Sequence, residues 1–379
     1  MNPIPLALAA LTLAPSAAAQ PAPAAVPPEV HFGGPDQPPG ALRDLLRAKV
    51  DAAPPGSEIV WATYYFRDQD LAERLVAAQR RGVRVRVRIE GRPRRERAND
   101  QVIATLRAGL GDGLRVHRPW LGLGHLHAKV YAFSGPRPEV LIGSFNPSGD
   151  QAADPAVLAD IGDQDRGENL LVGFQDPAAA AALRRHAERL WTGEANRFHL
   201  GDNRPVDLVS VRFYYFPRFS PRVVERRLAR LRPGDRVQAA VSHMDDGPFA
   251  RELAKAARRG VRVDVVVHDT ARRVPPAVVR DLDAAGASIR RYCTPERLPM
   301  HAKFVLIERG GQRSSWFGSL NYTAKSQLLN TEVLARSTQP RLVAGLESRF
   351  RTIADTAART PDCGAGRRIA SAGAGGEGR

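Results

Sequence analysis

The sequence has 379 residues, which is enough for one large domain or two ordinary ones, each with a complete hydrophobic core. Its 43% hydrophobic and 25% charged residues are typical of a soluble globular protein and exclude a largely disordered or collagen-like chain. The formal charge of +16 indicates anionic partners such as nucleic acid, an acidic membrane surface or phosphorylated substrates, unless the arginine-rich composition alone sets the charge.

The two ends of the chain differ in composition from its middle. Residues 4–14 form an apolar run that is too short to span a bilayer, and residues 17–19 (AAA) are typical of a signal-peptide cleavage site. We therefore expect a signal peptide over residues 1–19, cleaved near Ala19, and a secreted or periplasmic protein; the alternative is a disordered Ala/Pro leader. Residues 20–29 predict a Pro/Ala linker, and the Gly/Arg-rich residues 361–379 predict a disordered tail.

The chain has two cysteines, Cys293 and Cys363. They are compatible with one disulfide after export or with two free thiols. No pattern around them indicates a cysteine nucleophile or a cysteine-based metal site.

A first α/β unit is predicted over residues 30–200, because strand-like and helix-like patterns alternate there. The strand of residues 83–89 alternates apolar residues with arginines, and we expect its arginine face to be solvated or to follow a polyanion. The predicted strands lie near residues 30–32, 59–66, 83–89, 114–117, 130–133 and 169–172. The predicted helices lie near residues 42–50, 70–81 and 178–191, and another helix ends near residue 110.

A second unit, over residues 205–360, repeats this order. Residues 258–263 (RRGVRV) match residues 80–85 one for one, and in both places the glycine is expected to end a helix just before a strand. The fold class is therefore α/β, with two similar sandwich halves related by internal duplication. We expect the halves to face one another about a pseudo-twofold axis and to share one site.

One motif occurs once in each half. Residues 127–129 (HAK) are followed by residues 143–146 (GSFN), and residues 301–303 (HAK) by residues 318–321 (GSLN). Residues two apart in a strand point to the same side, so each histidine should project beside its lysine at the end of a buried strand. Only five of the 56 basic residues are lysines, and two of them lie in these motifs, which favours a compact charge here over arginine's planar fork.

These residue types are suited to holding and attacking a phosphodiester, whose negative charge must be neutralised before a nucleophile approaches. One histidine would attack phosphorus, and the other would protonate the leaving oxygen and then activate water. Each imidazole needs a partner on its second nitrogen, and Glu168 and Glu332 are the candidates. No metal or cofactor is required, because lysines neutralise the charge. The phosphate-binding candidates are Lys129, Ser144, Asn146, Lys303, Ser319 and Asn321.

The doubled pattern resembles the phospholipase D superfamily, which includes bacterial endonucleases, cardiolipin synthases and phosphatidylserine synthases. The resemblance extends from about residue 30 to residue 357. It implies two phospholipase D-like halves with the active site between them, and His127 and His301 as nucleophile and acid/base. It also implies that Glu168 and Glu332 orient the two histidines.

Two positions depart from the family motif. Ser134 and Glu308 stand where the family has an aspartate. That aspartate looks structural in the family, so we expect activity to survive. His125 and His127 could suggest a zinc pair, but no third ligand follows at a fitting spacing.

Three functions are compatible with the sequence, of which we favour the first. The first is a phospholipase D that cleaves phospholipid head groups and transfers the phosphatidyl group to water or alcohols. The second is a metal-independent nuclease, favoured by the charge and by residues 212–218 (RFYYFPR), whose aromatics could stack on bases. The third is an inactive scaffold that binds polyanions. The expected partners are a phospholipid or other phosphodiester, nucleic acid under the second hypothesis, and peripheral contact with an anionic membrane. We expect a monomer.

Overall fold

The computed structural model of the chain describes residues 26–119, 121–148, 161–195 and 197–359. The predicted signal peptide and tail lie outside these residues, and the predicted domain limits stay predictions. No helix in the described ranges is both long and apolar enough to cross a membrane. Cys293 is disulfide-bonded; Cys363 lies outside the described residues.

The first half is a mixed sheet flanked by helices. The elements are β1 (Glu29–Gly33), α1 (Ala41–Asp51), β2 (Glu58–Thr63), α2 (Gln69–Arg80), β3 (Arg84–Glu90), α3 (Asp100–Leu110), β4 (Leu114–His117), β5 (Val130–Phe133), β6 (Glu139–Gly143), β7 (Asn169–Phe174) and α4 (Pro177–Thr192). The strand order is β1-β7-β6-β5-β2-β3-β4, with β2, β3 and β4 parallel and the remaining neighbours antiparallel.

The second half repeats this topology with one extra edge strand. The elements are β8 (Val206–Asp207), β9 (Val211–Phe216), α5 (Val223–Leu228), β10 (Arg236–Val241), α6 (Pro248–Arg258), β11 (Arg262–His268), α7 (Pro276–Ala284), β12 (Ser288–Tyr292), β13 (Lys303–Arg309), β14 (Gln312–Gly318), α8 (Ala324–Leu328), β15 (Glu332–Ser337) and α9 (Pro340–Arg359). The strand order is β8-β9-β15-β14-β13-β10-β11-β12, so β9 to β15 take the places of β1 to β7. The predicted fold class and duplication are confirmed.

The matched segments 80–85 and 258–263 adopt matched conformations. Gly82 has a φ of 91° and Gly260 a φ of 85°, so each ends its helix in the left-handed region, where glycine has no steric penalty. The chain then enters β3 or β11, each parallel to its neighbour. A local glycine signal therefore fixes the same helix-to-strand turn twice.

Three hydrophobic layers form the core of the molecule, and one of them holds the two halves together. One layer packs the first sheet against α1–α3, another packs the second sheet against α5–α7, and the third lies between the sheets with α4 and α9. Strand β13 shows why: Phe304 and Leu306 point into the shared layer, whereas Val305 and Ile307 point into the outer one. A strand that is apolar on both faces thus lies in the centre of the molecule.

Two of the three arginines on that face of β3, Arg86 and Arg88, pack against protein, contrary to our expectation, whereas Arg84 is exposed as expected. Arg88 donates to the carbonyl oxygens of Leu190 and Trp191, and Arg86 pairs with Glu58. The two arginines lie at the C-terminal part of α4, where unpaired carbonyls accept hydrogen bonds from Arg88. The alternation therefore marks helix–sheet packing.

Candidate active site

The two motifs meet because each half supplies the neighbour of the other half's histidine. The backbone N–H of His127 donates to the Thr331 carbonyl at 3.1 Å, and the backbone N–H of His301 donates to the Glu168 carbonyl at 2.9 Å. In return, the Thr331 N–H donates to the His125 carbonyl, and the Glu168 N–H donates to the Pro299 carbonyl. Short parallel bridges thus join the entrance of β5 to that of β15 and the entrance of β13 to that of β7. The shared site that the sequence predicts is built by this exchange.

His127 is held by a carboxylate of the second half. Its Nδ1 lies 2.9 Å from the Glu332 carboxylate, which also accepts a 2.6 Å hydrogen bond from Ser319 Oγ. Burial, together with the ammonium groups of Lys129 and Lys303, holds the pKa of His127 well below its usual value. Burial also raises the pKa of Glu332 to about 7. A positive charge on His127 would therefore be stabilised by the carboxylate that accepts from its Nδ1.

His301 is held by an amide. Its Nδ1 lies 3.0 Å from Asn169 Oδ1, which also accepts from Ser144 Oγ at 3.0 Å. The Asn169 Nδ2 group donates to the Gln164 carbonyl, so the amide must present its oxygen to the imidazole. His301 is therefore protonated on Nδ1 and directs its Nε2 away from Asn169. Burial, then the charge of Lys303, holds the pKa of His301 well below its usual value.

Glu168 does not orient a histidine, contrary to our sequence-based expectation. Its carboxylate accepts from Tyr292 Oη at 2.9 Å and from Arg349 Nε and Nη2 at 3.0 and 2.7 Å. Successive residues of a strand face opposite sides, so the residue that faces His301 is Asn169. Glu168 contributes only its backbone to the site.

Ser144 and Ser319 are also placed differently from the prediction. Both are completely buried, and each hydroxyl donates to Asn169 or Glu332 while accepting a backbone N–H from the next strand residue. Their single protons are already used, so they position the histidine partners rather than bind phosphate.

The two motif lysines lie beneath the histidines. Lys129 Nζ donates to the His127 carbonyl at 2.6 Å, and Lys303 Nζ donates to the His301 carbonyl at 2.7 Å. Burial lowers the pKa of Lys129 to about 7 and, reinforced by the charge of Lys129, lowers the pKa of Lys303 well below its usual value. An anion in the site would restore both charges, because it would replace the missing solvation.

A cavity of about 270 Å³ opens between the halves at this point. Both motif histidines and both motif asparagines line it. Asn146 Oδ1 accepts from the Tyr65 N–H at 3.3 Å, which leaves its amide protons for a ligand. The cavity can therefore hold one phosphodiester between two imidazoles, with amide donors beside it and ammonium groups below.

Sequence reasoning missed three cavity residues that follow strands β2 and β10. Tyr64 and Tyr65 come from the first half and His243 from the second, and all three line the cavity. The Tyr64 ring lies 5.1 Å from the His127 ring and 5.4 Å from Lys129 Nζ. The strand order could have predicted their positions. Strand β2 pairs with β5 and β10 pairs with β13, so the residues that follow β2 and β10 lie beside the motifs at the start of β5 and β13.

The two departures from the family motif lie at the far ends of their strands. Ser134 follows β5, where its Oγ accepts from the Glu58 N–H at 2.8 Å, and Glu308 pairs with Arg313 across the β13–β14 ladder. Each strand separates its motif from this position by roughly 3.3 Å per residue. Neither position touches the site.

The family description "Cardiolipin synthase, PLD-like domain" matches residues 46–191 and 229–354, which is most of the chain. The chain belongs to the phospholipase D superfamily. Its two matched segments coincide with the two sheets.

Solved structures share this fold at low sequence identity. Phosphatidylserine synthase from Haemophilus influenzae Rd KW20 has a TM-score of 0.64 at 12% identity, covering 86% of each chain. Polyphosphate kinase from Porphyromonas gingivalis has a TM-score of 0.57 at 16% identity, covering 86% of this chain and 50% of its own. This chain thus spans about half the length of the kinase. No curated protein matches the chain in sequence.

Proposed function

We propose that the chain is a phosphodiester-cleaving enzyme that acts on phospholipids through a phosphohistidine on His127, transferring the phosphatidyl group to water or an alcohol. One observation carries the proposal: two histidines and two asparagines of the duplicated motif line one cavity, with Glu332 on one imidazole and Asn169 on the other.

The difference between those two partners supports one assignment of the two catalytic roles. An imidazole phosphorylated on Nε2 carries positive charge that is shared with its Nδ1–H, and the Glu332 carboxylate accepts that proton at 2.9 Å. The neutral oxygen of Asn169 gives His301 no such stabilisation, so His301 releases a proton more readily. His127 is therefore the nucleophile, and His301 is the general acid and base.

The reaction then has two steps. In the first, His127 Nε2 forms a bond to phosphorus, the bond from phosphorus to the leaving oxygen breaks, and His301 Nε2 gives its proton to that oxygen. In the second, His301 takes a proton from water or an alcohol, whose oxygen attacks phosphorus as the bond to His127 breaks. Lys129 and Lys303 neutralise the phosphoryl oxygens in both steps, and Asn146 and Asn321 donate to them.

Two comparisons support a lipid substrate. The matching family description names cardiolipin synthase, and the Haemophilus structure that spans most of both chains is a phosphatidylserine synthase. The disulfide of Cys293 supports an oxidising compartment, in keeping with the export proposed from residues 1–19.

A nucleic-acid substrate is the second candidate. Arg94 and Arg272 line the cavity on opposite halves and are exposed, and the chain carries a charge of +16. Such a rim would attract a polyanionic backbone.

The test uses the purified protein in EDTA, on phosphatidylcholine/phosphatidylglycerol vesicles and on single-stranded and duplex DNA. We expect lipid turnover that falls by about 10³-fold or more in His127→Ala and in His301→Ala. DNA cleavage without lipid turnover would replace the lipid proposal by the nuclease one, and binding of either without turnover would favour the inactive scaffold.

A chromogenic phosphatidyl-p-nitrophenol separates the two histidines, because its leaving group needs no proton. His301→Ala should then release one equivalent of p-nitrophenolate and stop, with the phosphatidyl group on His127, whereas His127→Ala should release none. The reverse pattern would assign the nucleophile to His301.

A further inference from the structure

The exposed apolar side chains of this molecule are concentrated at one end. Six large apolar residues are exposed in the described ranges, and four of them lie at the end of the sheets where the catalytic cavity opens. The four are Leu121, Leu123, Phe219 and Leu328, and the other two, at the opposite end, are Val26 and Val209.

Strand pairing establishes these two ends. Glu332, which binds His127, lies opposite Phe216 at the end of β9, and Phe219 follows three residues later. Val209 precedes β9, whose first residue pairs with Ser337 at the other end of β15.

One hydrogen bond joins the turn that carries two of the four residues to the wall of the cavity, and a third residue lies on the helix that forms that wall. Lys325 on α8 lines the cavity, and its Nζ lies 3.5 Å from the Gly122 carbonyl in the turn that carries Leu121 and Leu123. The same helix carries Leu328, which is 56% exposed. The turn and the helix therefore form one continuous rim, although they belong to different halves.

The side chain of Leu121 occupies an unfavourable position for a protein surrounded by water alone. It is 77% exposed, and its φ of 48° lies in the left-handed region that a leucine rarely adopts. Gly122 and Gly124 have positive φ on either side of Leu123. Strain that directs an apolar side chain outward indicates a function for that exposure.

The Phe219 segment adjoins the same rim. Gln327 on α8 donates to Glu225 on α5, the helix that follows Phe219 along the chain. Phe219 is 78% exposed.

The charge of these segments identifies their partner. Residues 118–125, 217–222 and 323–329 contain four lysines or arginines and no aspartate or glutamate. The four are Arg118, Arg218, Arg222 and Lys325. Apolar side chains with basic neighbours are the pattern of a surface that inserts among acyl chains while its cations contact anionic head groups.

We propose that Leu121, Leu123, Phe219 and Leu328 form a docking surface for an anionic phospholipid bilayer, which brings the cavity mouth to the membrane. This surface rests on the phospholipid substrate proposed above. A lipid can then enter the cavity head group first without leaving the bilayer completely.

The test is vesicle sedimentation in a His127→Ala background, so that no lipid is consumed. The vesicles contain equal parts of phosphatidylcholine and phosphatidylglycerol. The variant L121S/F219S/L328S should bind at least about tenfold more weakly, because three apolar contacts are lost. The matched control V26S/V209S removes exposed apolar groups from the opposite end and should bind as the parent does. Equal losses in both variants, or none in the triple variant, would overturn the proposal.

Charge provides a second pair of variants. R118Q/R222Q should weaken binding to the mixed vesicles and leave the weaker binding to pure phosphatidylcholine unchanged, whereas R80Q/R232Q, at the opposite end, should change neither. If R80Q/R232Q has the same effect, the net charge of the protein drives binding and the proposed surface is wrong.

Kinetics separates failure of this surface from failure of the proposed function. With His127 restored, L121S/F219S/L328S should lose about tenfold or more in activity on vesicles and keep its activity on a monomeric short-chain phosphodiester. If L121S/F219S/L328S turned over vesicle lipid as well as the wild type does, the proposed surface would be wrong and the proposed function would stand. If the wild type turned over no lipid but the triple substitution still abolished vesicle binding, the proposed function would be wrong and the surface would stand. A wild-type dimer that becomes monomeric in the triple variant, or loss of DNA binding instead of vesicle binding, would also overturn the membrane proposal.

Discussion

The two halves of the site share a backbone and differ in one chemical group. In each half, a serine that follows a Gly donates to a side chain at the start of the next strand, and that side chain holds the histidine of the other half. The side chain is Glu332 toward His127 and Asn169 toward His301. A duplicated scaffold can therefore perform two different proton tasks when a single acceptor changes from charged to neutral.

The difference also explains why the site needs both halves. Two identical imidazoles in a buried, cationic cavity would have the same pKa, and neither would be favoured to carry positive charge. The Glu332 carboxylate makes the two histidines unequal, because it accepts from His127 Nδ1 whereas His301 has a neutral acceptor. The comparison can be tested by making the two acceptors alike.

The largest effect should come from Glu332→Gln, which gives both histidines an amide partner. The phosphohistidine on His127 would lose its charge-assisted hydrogen bond while the ring kept an acceptor on Nδ1. We expect kcat to fall by about 100-fold, equivalent to about 2.7 kcal/mol of transition-state stabilisation. Steady-state and burst kinetics on phosphatidyl-p-nitrophenol would measure this, and the burst itself should slow.

Glu139→Gln is the matched control for that variant. Glu139 is also a buried carboxylate, but it pairs with Lys49, and its strand, β6, ends at the motif glycine four residues later. We expect Glu139→Gln to lower the free energy of unfolding without changing kcat of the folded enzyme. Equal losses of kcat in the two variants would mean that general destabilisation, and not Glu332, accounts for the effect.

Glu168→Gln tests the carboxylate that precedes Asn169. It removes the charge that pairs with Arg349 and forces an N–H group against Tyr292 or Arg349. Removing one partner of a buried ion pair typically lowers the free energy of unfolding by about 3 kcal/mol, which urea denaturation would measure. The kcat and its pH profile should stay close to wild type, because no Glu168 side-chain atom contacts an imidazole.

Asp36→Asn is the comparison for Glu168→Gln. Asp36 pairs with the same Arg349 but is 41% exposed on its side chain, so its loss should cost less than about 1 kcal/mol. If Glu168→Gln instead lowered kcat as strongly as Glu332→Gln, Glu168 would act on His301 and our reading of the strand would be wrong.

The one-residue error at Glu168 shows where the sequence was sufficient and where it was not. The motif spacing predicted the histidines and asparagines that line the cavity, because these residues lie at the ends of strands with clear buried patterns. Strand register decides which side chain accepts from each histidine. The equivalent positions are those that the motif serines contact, Asn169 and Glu332, whereas the prediction treated Glu168 and Glu332 as equivalent because both are carboxylates. Since a register shift of one residue reverses the facing side, the choice of residue type selected the wrong face.

The cavity walls could not be read from the sequence for a different reason. Tyr64 and Tyr65 follow a strand of apolar residues, and aromatic residues in such a run are usually core. Their exposure to the cavity depends on the packing of the second half against the first, which no local pattern encodes. Arg86 and Arg88 of β3 were misjudged in the same way, since α4 covers them only in the folded chain.

The smallest change, and the finest test of the comparison, is Asn169→Asp, which gives both histidines a carboxylate. The added anion beside Nδ1 should raise the pKa of His301, which burial and Lys303 now hold well below its usual value. Because a raised pKa keeps the acid form protonated to higher pH, the alkaline limb of kcat/KM should move upward by about one pH unit. In the second step the same residue acts as a base, so turnover at low pH should fall by about tenfold.

The pH profile of Asn169→Asp distinguishes this effect from simple damage. The introduced carboxylate cannot donate to the Gln164 carbonyl as Asn169 Nδ2 does, so some stability will be lost in any case. Loss of stability would lower activity at every pH, whereas a displaced His301 titration lowers it on the acid side and extends it on the alkaline side. A profile that falls uniformly would mean that Asn169 only supports the strand, and the assignment of His301 as the acid would then rest on the single-turnover experiment alone.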